Sequence, residues 1–395
     1  MSVEEVVAKY PCKEVSIEIT EKCDQRCIHC SSEATKEGWK DELTTDEIFH
    51  TITQSKRYLG TEVISLSGGD PILRKDFVDI VKFIDSIGLN VLVYSSGGQF
   101  LSDEDRKMEV DLCDFTLTKQ FDEIVNILRS DGNKMIYSLE GGNRFSHEFI
   151  TRRSGSWGCT NEAIRNTIRR GIFTEVHTCP MTTNMYEFED MYKMLSRIGV
   201  NRWSFLRLVP QGRCSQVDYL ITNPDEFRKL VTILARLKSQ SFEDEKMEIR
   251  IGDPLNFFDC ITEYKDRVMP MTSCSAGKNR MLIRADGSAQ FCAALKHSPN
   301  HDFGNIRKTD IVDLWCNSIM VKKLRAFHEF DYKVIGGECS ACKHLEICKG
   351  GCLSQRIAAY GNMYEGPDPL CPVMNHSKIS FLPLNHMDEK IVICY

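Results

Sequence analysis

No stretch of this chain approaches the roughly 18 consecutive apolar residues of a membrane span. That absence excludes a helical membrane protein. The opening MSVEEVVAKY has neither the basic start nor the apolar run of a secretory signal. Positive charge is not in excess. The 50 Lys+Arg stand against 56 Asp+Glu, a net charge of −6, so a diffuse basic surface for nucleic acid is not expected. There is no sustained repeat and no low-complexity tract. The chain is expected to stay in the cytoplasm, where thiols are kept reduced, with neither membrane nor nucleic acid as a partner.

What is present is an ordinary globular composition with one anomaly. At 395 residues, 42% hydrophobic and 27% charged, the chain has material for two or three domains and a sizeable core. The anomaly is 18 cysteines. A reducing compartment gives little reason for disulfides, and a chain this long does not need them. Metal or iron–sulfur ligation is the use that remains.

The first half alternates β-rich runs with amphipathic helices. Val15–Ile19, Val63–Ser67, Val91–Ser95, Met135–Leu139, Thr174–Thr178 and Trp203–Val209 read as strands. Thr44-Thr-Asp-Glu47 has capping-box spacing and opens a helix that stops near Gly60. Phe77, Ile80, Val81, Ile84 and Ile87 form a helical stripe ended by Gly88. Further helices are expected at 119–128, Asn161–Arg170 and 188–198. Asn223-Pro224-Asp225-Glu226 opens another. Such alternation implies parallel pairing. Six units suit an α/β fold of the partial (β/α)6 barrel kind, with chemistry at the C-terminal ends of the strands. Beyond residue 260 the alternation fades. There Met281–Arg284 and Ser288–Cys292 read as a β-hairpin, in a region poor in long periodic segments. The expected division is a barrel over 11–215, a bridging helical region over 216–269, a cysteine-rich domain over 270–375 and a tail over 376–395.

Cys23, Cys27 and Cys30 form C-x3-C-x2-C directly after the first strand. Three thiolates at this spacing can hold one face of a [4Fe–4S] cube and leave one iron open. Zinc is the plainer alternative, but it wants a fourth ligand, and His29 is poorly placed inside the loop. The second strand ends in Ser67-Gly68-Gly69-Asp70-Pro71, which alone would read as a turn.

Taken together, these two segments resemble the radical S-adenosylmethionine (SAM) superfamily. Cys23, Cys27 and Cys30, with an aromatic (His29) before the last cysteine, match its cluster loop. Gly68-Gly69-Asp70 looks like its GGE motif, with Asp in place of Glu. Ser138-Leu-Glu-Gly141 resembles a segment near the cofactor ribose, and Thr178 to Asn184 a fifth-strand segment that contacts the same cofactor. The resemblance thus implies SAM as cofactor, with His29, Gly68, Gly69, Asp70, Ser138 and Asn184 around it.

Cys274-x12-Gly287-x4-Cys292, Cys339-x2-Cys342-x5-Cys348-x3-Cys352 and Cys371 look like the seven-cysteine SPASM domain. That resemblance implies two auxiliary [4Fe–4S] clusters. The inner one would take Cys274, Cys292 and Cys352, and the outer one Cys339, Cys342, Cys348 and Cys371. A fourth inner ligand is left open between Cys260 and an iron free to bind substrate. A zinc ribbon over Cys339–Cys352 is the alternative for that stretch alone.

The implied chemistry is reductive cleavage of SAM to a 5′-deoxyadenosyl radical, which takes hydrogen from an unactivated C–H bond. The family uses this layout chiefly on peptides and proteins. Crosslinking of a ribosomally made peptide is the first expectation. Sulfatase-type formylglycine formation, peptide epimerisation, and oxidation of a sugar or aminocyclitol are the alternatives. Only 22 residues precede Cys23, so leader recognition is expected to fall to a separate leader-binding protein or to the body of the enzyme, with an electron donor such as flavodoxin or ferredoxin as a further partner. Among the spare cysteines, Cys179 and Cys214 follow the fifth and sixth strands and are candidates to return a hydrogen atom to a substrate radical.

Overall fold

The computed structural model describes residues 1–97, 119–208, 210–252, 255, 274–296 and 299–371. Cys260 and the tail over 376–395 lie outside the described residues. Among the described residues, ten strands form one sheet. They are β1 (Glu14–Thr20), β2 (Val63–Gly68), β3 (Asn90–Ser95), β4 (Lys134–Ser138), β5 (Thr174–Thr178), β6 (Arg202–Phe205), β7 (Glu248–Ile251), β8 (Arg280–Ile283), β9 (Ser288–Gln290) and β10 (Gly304–Asn305). Their order is β10-β9-β8-β1-β2-β3-β4-β5-β6-β7. Neighbours from β1 to β7 pair in parallel, as crossover helices require.

The sheet's two faces follow from the period of two. Val15, Ile17 and Ile19 of β1, Ile64 and Leu66 of β2, and Val91 and Val93 of β3 enter the apolar core beneath the helices. The alternate positions Ser16, Glu18, Ser65, Glu175, His177 and Ser204 are polar and also buried. The sheet therefore covers a polar interior, as an α/β partial barrel does. Its helices begin where their caps dictate. Thr44 and Glu47 exchange the two bonds of a capping box before Thr45–Leu59, and Gly60, at φ +70°, ends it. Asn223 and Glu226 do the same for Pro224–Asp244.

Several elements depart from expectation. The sixth strand stops at Phe205. The region over 216–269 is not helical throughout: β7 lies in it and extends the parallel sheet past β6. Four residues are too few for a periodicity signal, and β7 gains its burial from β6 and the helix before it. Residues 119–128 form two short helices, Lys119–Asp122 and Val125–Leu128, and the Asn161 helix begins earlier, at Ser156. The C-terminal region also carries more helix than expected, at Ile311–Asn317 and Ile319–Glu329. Leu314, Trp315, Val321, Leu324 and Phe327 bury their common face.

The hairpin is present, with Leu282 opposite Gln290, and Gly287, at φ +84°, in its turn. What sequence did not indicate is its docking. Strand β8 pairs in parallel with β1, from Glu14–Arg280 to Ile17–Ile283. The cysteine-rich region thereby shares the barrel's sheet. No helix among the described residues is long and apolar enough to cross a membrane.

Candidate active site

The chain leaves β1 in a pinched loop. Cys23 N–H donates to the Thr35 carbonyl at 2.8 Å, and Thr35 N–H donates to the Glu21 carbonyl at 3.1 Å. Cys30 N–H donates to the Cys27 carbonyl at 3.2 Å, closing the short turn between them. Neighbouring elements hold the loop from outside. Ile28 N–H donates to the Ile150 carbonyl at 2.8 Å. Arg213 donates through Nε to the Cys27 carbonyl at 2.8 Å and through Nη1 to the Ala34 carbonyl at 3.1 Å. A Cβ on Gly212 would meet the carbonyl oxygens of Cys30 and Ser31 at 2.7 Å. Sequence reasoning missed Gly212 and Arg213, whose only signal was a turn-like Pro210-Gln-Gly after the sixth strand.

Burial pushes the Cys27 thiol well up, and Cys30 and Cys23 push it further. Cys23 is raised by burial, then by Asp70, with Cys30 adding to it. Thiols held protonated by burial and by their neighbours, as Cys23 and Cys27 are, fit a cationic centre, which ionises its thiol ligands on binding. Among the described residues no three Cys, His, Asp or Glu side chains are close enough to hold a single ion. The fit to an iron–sulfur cluster therefore rests on the donor chemistry and the loop.

Gly68 and Gly69 are required by close approach. A Cβ on Gly68 would lie 2.0 Å from the Thr20 carbonyl oxygen, and one on Gly69 would lie 2.2 Å from that of Lys22. Gly69 N–H donates to Thr20 and Asp70 N–H to Lys22, at 2.8 and 2.7 Å. The Asp70 carboxylate is fully buried and engaged within the protein: Oδ2 accepts from Ser95 Oγ, Ser96 N–H and Ser96 Oγ. Burial raises its pKa to about 7, then Asp24 adds to this, and the serine bonds oppose it.

Glu140 organises the exits of β4 and β5. Its Oε2 accepts from Cys179 N–H at 3.0 Å, and its Oε1 lies 3.5 Å from His29 Nε2. Its N–H donates to His147 Nδ1 at 3.1 Å. Asn184 is fully buried and donates to the carbonyls of Glu140 and Cys179, both at 2.9 Å. Ser138, at the end of β4, is exposed. Sequence reasoning included Glu140 only as part of Ser138-Leu-Glu-Gly141 and passed over His147. Cys214 lies fully buried in an apolar cluster with Ile150, Met181, Leu208 and Leu220, and Cys179 packs against that cluster. Burial pushes Cys214 up to about 12.

The C-terminal cysteines gather around two buried arginines. Burial raises Cys352 to about 12; Arg207 opposes this, and Asp368, Cys292 and Cys274 add to it. Cys339 is raised by burial, with Arg356 opposing and Cys342 adding. Cys342 N–H donates to the Cys339 carbonyl at 3.0 Å.

Residues 17–204 match the Radical SAM superfamily, and residues 274–343 match SPASM, an iron–sulfur cluster-binding domain. The chain carries a radical SAM domain followed by a SPASM domain. It is a radical SAM enzyme that uses SAM and [4Fe–4S] clusters, and Cys348, Cys352 and Cys371 lie just past the SPASM match. Among similar proteins is the AdoMet-dependent heme synthase of Oleidesulfovibrio alaskensis, 22% identical over 93% of this chain and 89% of that protein. The mycofactocin maturase MftC of Mycolicibacterium smegmatis is 23% identical over 90% of this chain and 81% of that one. In fold the chain is similar to Streptococcus suis SuiB bound to S-adenosylmethionine. There the TM-score is 0.68 at 15% identity, over 92% of this chain and 77% of that one.

Proposed function

We propose that this radical SAM enzyme oxidatively modifies a ribosomally made peptide, forming a thioether, C–C or C–O crosslink. The observation that carries the reading is the junction of its two cysteine regions. Lys296, four residues past Cys292, hydrogen-bonds Ser32, two residues past Cys30, and ion-pairs with Glu18 of β1. The β8–β1 pairing thus sets an auxiliary cysteine loop against the cluster loop, a layout suited to oxidation. The maturase relative and SuiB, a structure of which contains a precursor peptide, support a peptide as substrate.

When bound, the cluster and SAM supply a radical that removes hydrogen from an unactivated C–H bond. The chain's own residues position and protect. Cys23, Cys27 and Cys30 would hold the cluster, leaving one iron open. The bare backbone at Gly68-Gly69 lets the exits of β1 and β2 close together beside the cluster loop, and Glu140 steadies His29 within that loop. The apolar cluster around Met181, Leu208 and Leu220 excludes water next to the cofactor loop. Cys179 and Cys214, kept as protonated thiols by burial, hold the S–H form that an epimerase would need.

A second reading has a specific basis. Heme synthases match at 22–24% identity over at least 90% of this chain, so a tetrapyrrole is the rival substrate. The test is anaerobic turnover of the reduced, reconstituted enzyme with SAM and short Cys- or aromatic-rich precursor peptides. Loss of two hydrogens per crosslink, abolished by Cys27→Ala together with 5′-deoxyadenosine release, supports the proposal. An unchanged peptide with heme formed from a tetrapyrrole precursor would overturn it. A peptide epimer whose formation needs Cys214 would replace crosslinking with epimerisation.

A further inference from the structure

Arg207, two residues past β6, turns its two terminal nitrogens to the C-terminal cysteine-rich region. Its Nη1 and Nη2 donate to the two carboxylate oxygens of Asp368 at 2.6 and 2.7 Å. Both side chains are almost wholly buried, at 5% and 1% exposure. Asp368 is bonded in turn to both cysteine loops. Its Oδ2 accepts from Cys352 N–H at 2.7 Å, and its carbonyl accepts from Cys371 N–H at 2.8 Å. The fit is close: Gly351 is at φ +81°, and a Cβ there would lie 2.6 Å from the Asp368 side chain. The third edge of the guanidinium, Nε, is buried without a hydrogen-bond partner. A second bond, from Gln355 Nε2 to the Leu208 carbonyl at 3.1 Å, ties the same segment to the helix that follows Cys352.

A buried ion pair is rarely retained for stability alone, since the desolvation of both charges offsets most of their attraction. This one sits where two thiolate sets meet. Burial works against the Arg207 charge; Asp368 holds it on, and Cys352 and Cys371 help. By the SPASM resemblance, Cys352 serves the inner cluster and Cys371 the outer. Cluster potentials respond to net charge, burial and hydrogen bonds at the sulfurs.

We propose that Arg207 and Asp368 form a charge pair that poises the reduction potentials of both auxiliary clusters. Arg207 favours the reduced, more negative form; Asp368 opposes it and aims the guanidinium. Both are positioning residues that act through the cluster loops. The proposal rests on the reading of Cys274–Cys371 as cluster ligands, which iron content and the auxiliary-cluster spectra of the unmodified protein test separately.

The experiment is spectroelectrochemical titration of the anaerobic holoenzyme, followed by electron paramagnetic resonance. Asp368→Asn keeps an acceptor for Cys352 N–H, removes the negative charge and is expected to raise the auxiliary potentials. Arg207→Gln removes the positive charge and is expected to lower them. Each shift should be at least tenfold in the one-electron equilibrium, 59 mV. The double variant should return close to the starting values, and Arg207→Lys should lie between. A purely structural role predicts shifts of the same sign in both single variants, or none, and either result overturns the proposal. Should Arg207→Gln not fold, the Asp368→Asn and double-variant pair still decides: equal potentials in the two would overturn it.

Discussion

Ser96 binds Asp70 twice, through its backbone N–H at 2.8 Å and its hydroxyl at 2.9 Å, both to the same carboxylate oxygen. This bond pair ties the end of β2 to the end of β3, behind the double glycine. It also accounts for Asp where the GGE motif has Glu: the side chain is fully buried, and a longer one would have to displace Ser95 or Ser96. Asp70→Ala should remove the acceptor that these three buried donors share and cost roughly 1–3 kcal/mol of stability. Asp70→Glu should cost about 1–3 kcal/mol through overpacking. Denaturant midpoints check both. A stability unchanged in Asp70→Ala would show the bonds to be incidental.

Gly69→Ala should be more severe than its size suggests. The added carbon would lie 2.2 Å from the Lys22 carbonyl oxygen, so the exits of β1 and β2 must part. The expected outcome is loss of SAM binding by equilibrium dialysis, with a stability loss of about 2 kcal/mol or more. Gly336→Ala is the control, because open space surrounds that glycine and its backbone, at φ −74°, suits any residue. Similar affinities in the two variants would contradict the close-approach argument.

Arg307 joins the cysteine-rich region to the first barrel helix. Its Nε donates to Glu47 Oε1 at 2.6 Å, and Nη1 and Nη2 reach the carbonyls of Asp41 and Glu42. The Arg307 bond holds Glu47 down to about 2, with burial opposing. A depressed carboxylate stabilises the fold above its unfolded value near 4.5, and that contribution is lost as pH falls toward 2. The pair is partly exposed, so its contribution is about 1 kcal/mol. Arg307→Ala should lower stability at pH 7 by that order and flatten the loss between pH 4.5 and 2. An unchanged slope in acid titrations monitored by circular dichroism would rule the pair out as its source.

His147 should make the site sensitive to mild acid. Burial lowers it to about 4, against Glu140, and its Nδ1 must stay unprotonated to accept Glu140 N–H. The unfolded chain binds the proton near pH 6.5. Stability from this group is therefore complete above about 6.5 and declines as pH falls toward 4. His328, lowered to about 3 by burial and by Lys278 and Lys349, adds in the same direction. His147→Gln should shallow the decline without abolishing it. A decline as steep as in the unmodified protein would place its origin elsewhere.

Much of this molecule could be read from its residues in order. Strand β5 falls on Thr174–Thr178 as expected, and β1 to β4 match within a residue or so at their ends, because alternating apolar positions mark them. The helix starts at Thr44 and Asn223 follow from capping chemistry confined to four residues. Cys23, Cys27 and Cys30 were legible for the same reason: their ligand spacing is local. Strand β7 was not, since four residues carry little pattern.

What sequence determined by itself is the alternation that makes a parallel sheet and the cysteine spacings by which the chain resembles a cluster-binding family. Only the tertiary structure decided that β8 lies against β1, that Arg213 clasps the Cys27 loop 186 residues away, and that Arg207 meets Asp368 161 residues away. Local periods and caps are set by neighbours within a turn or two. Pairings across such distances depend on which surfaces the finished sheet brings together, and no short stretch of residues encodes that.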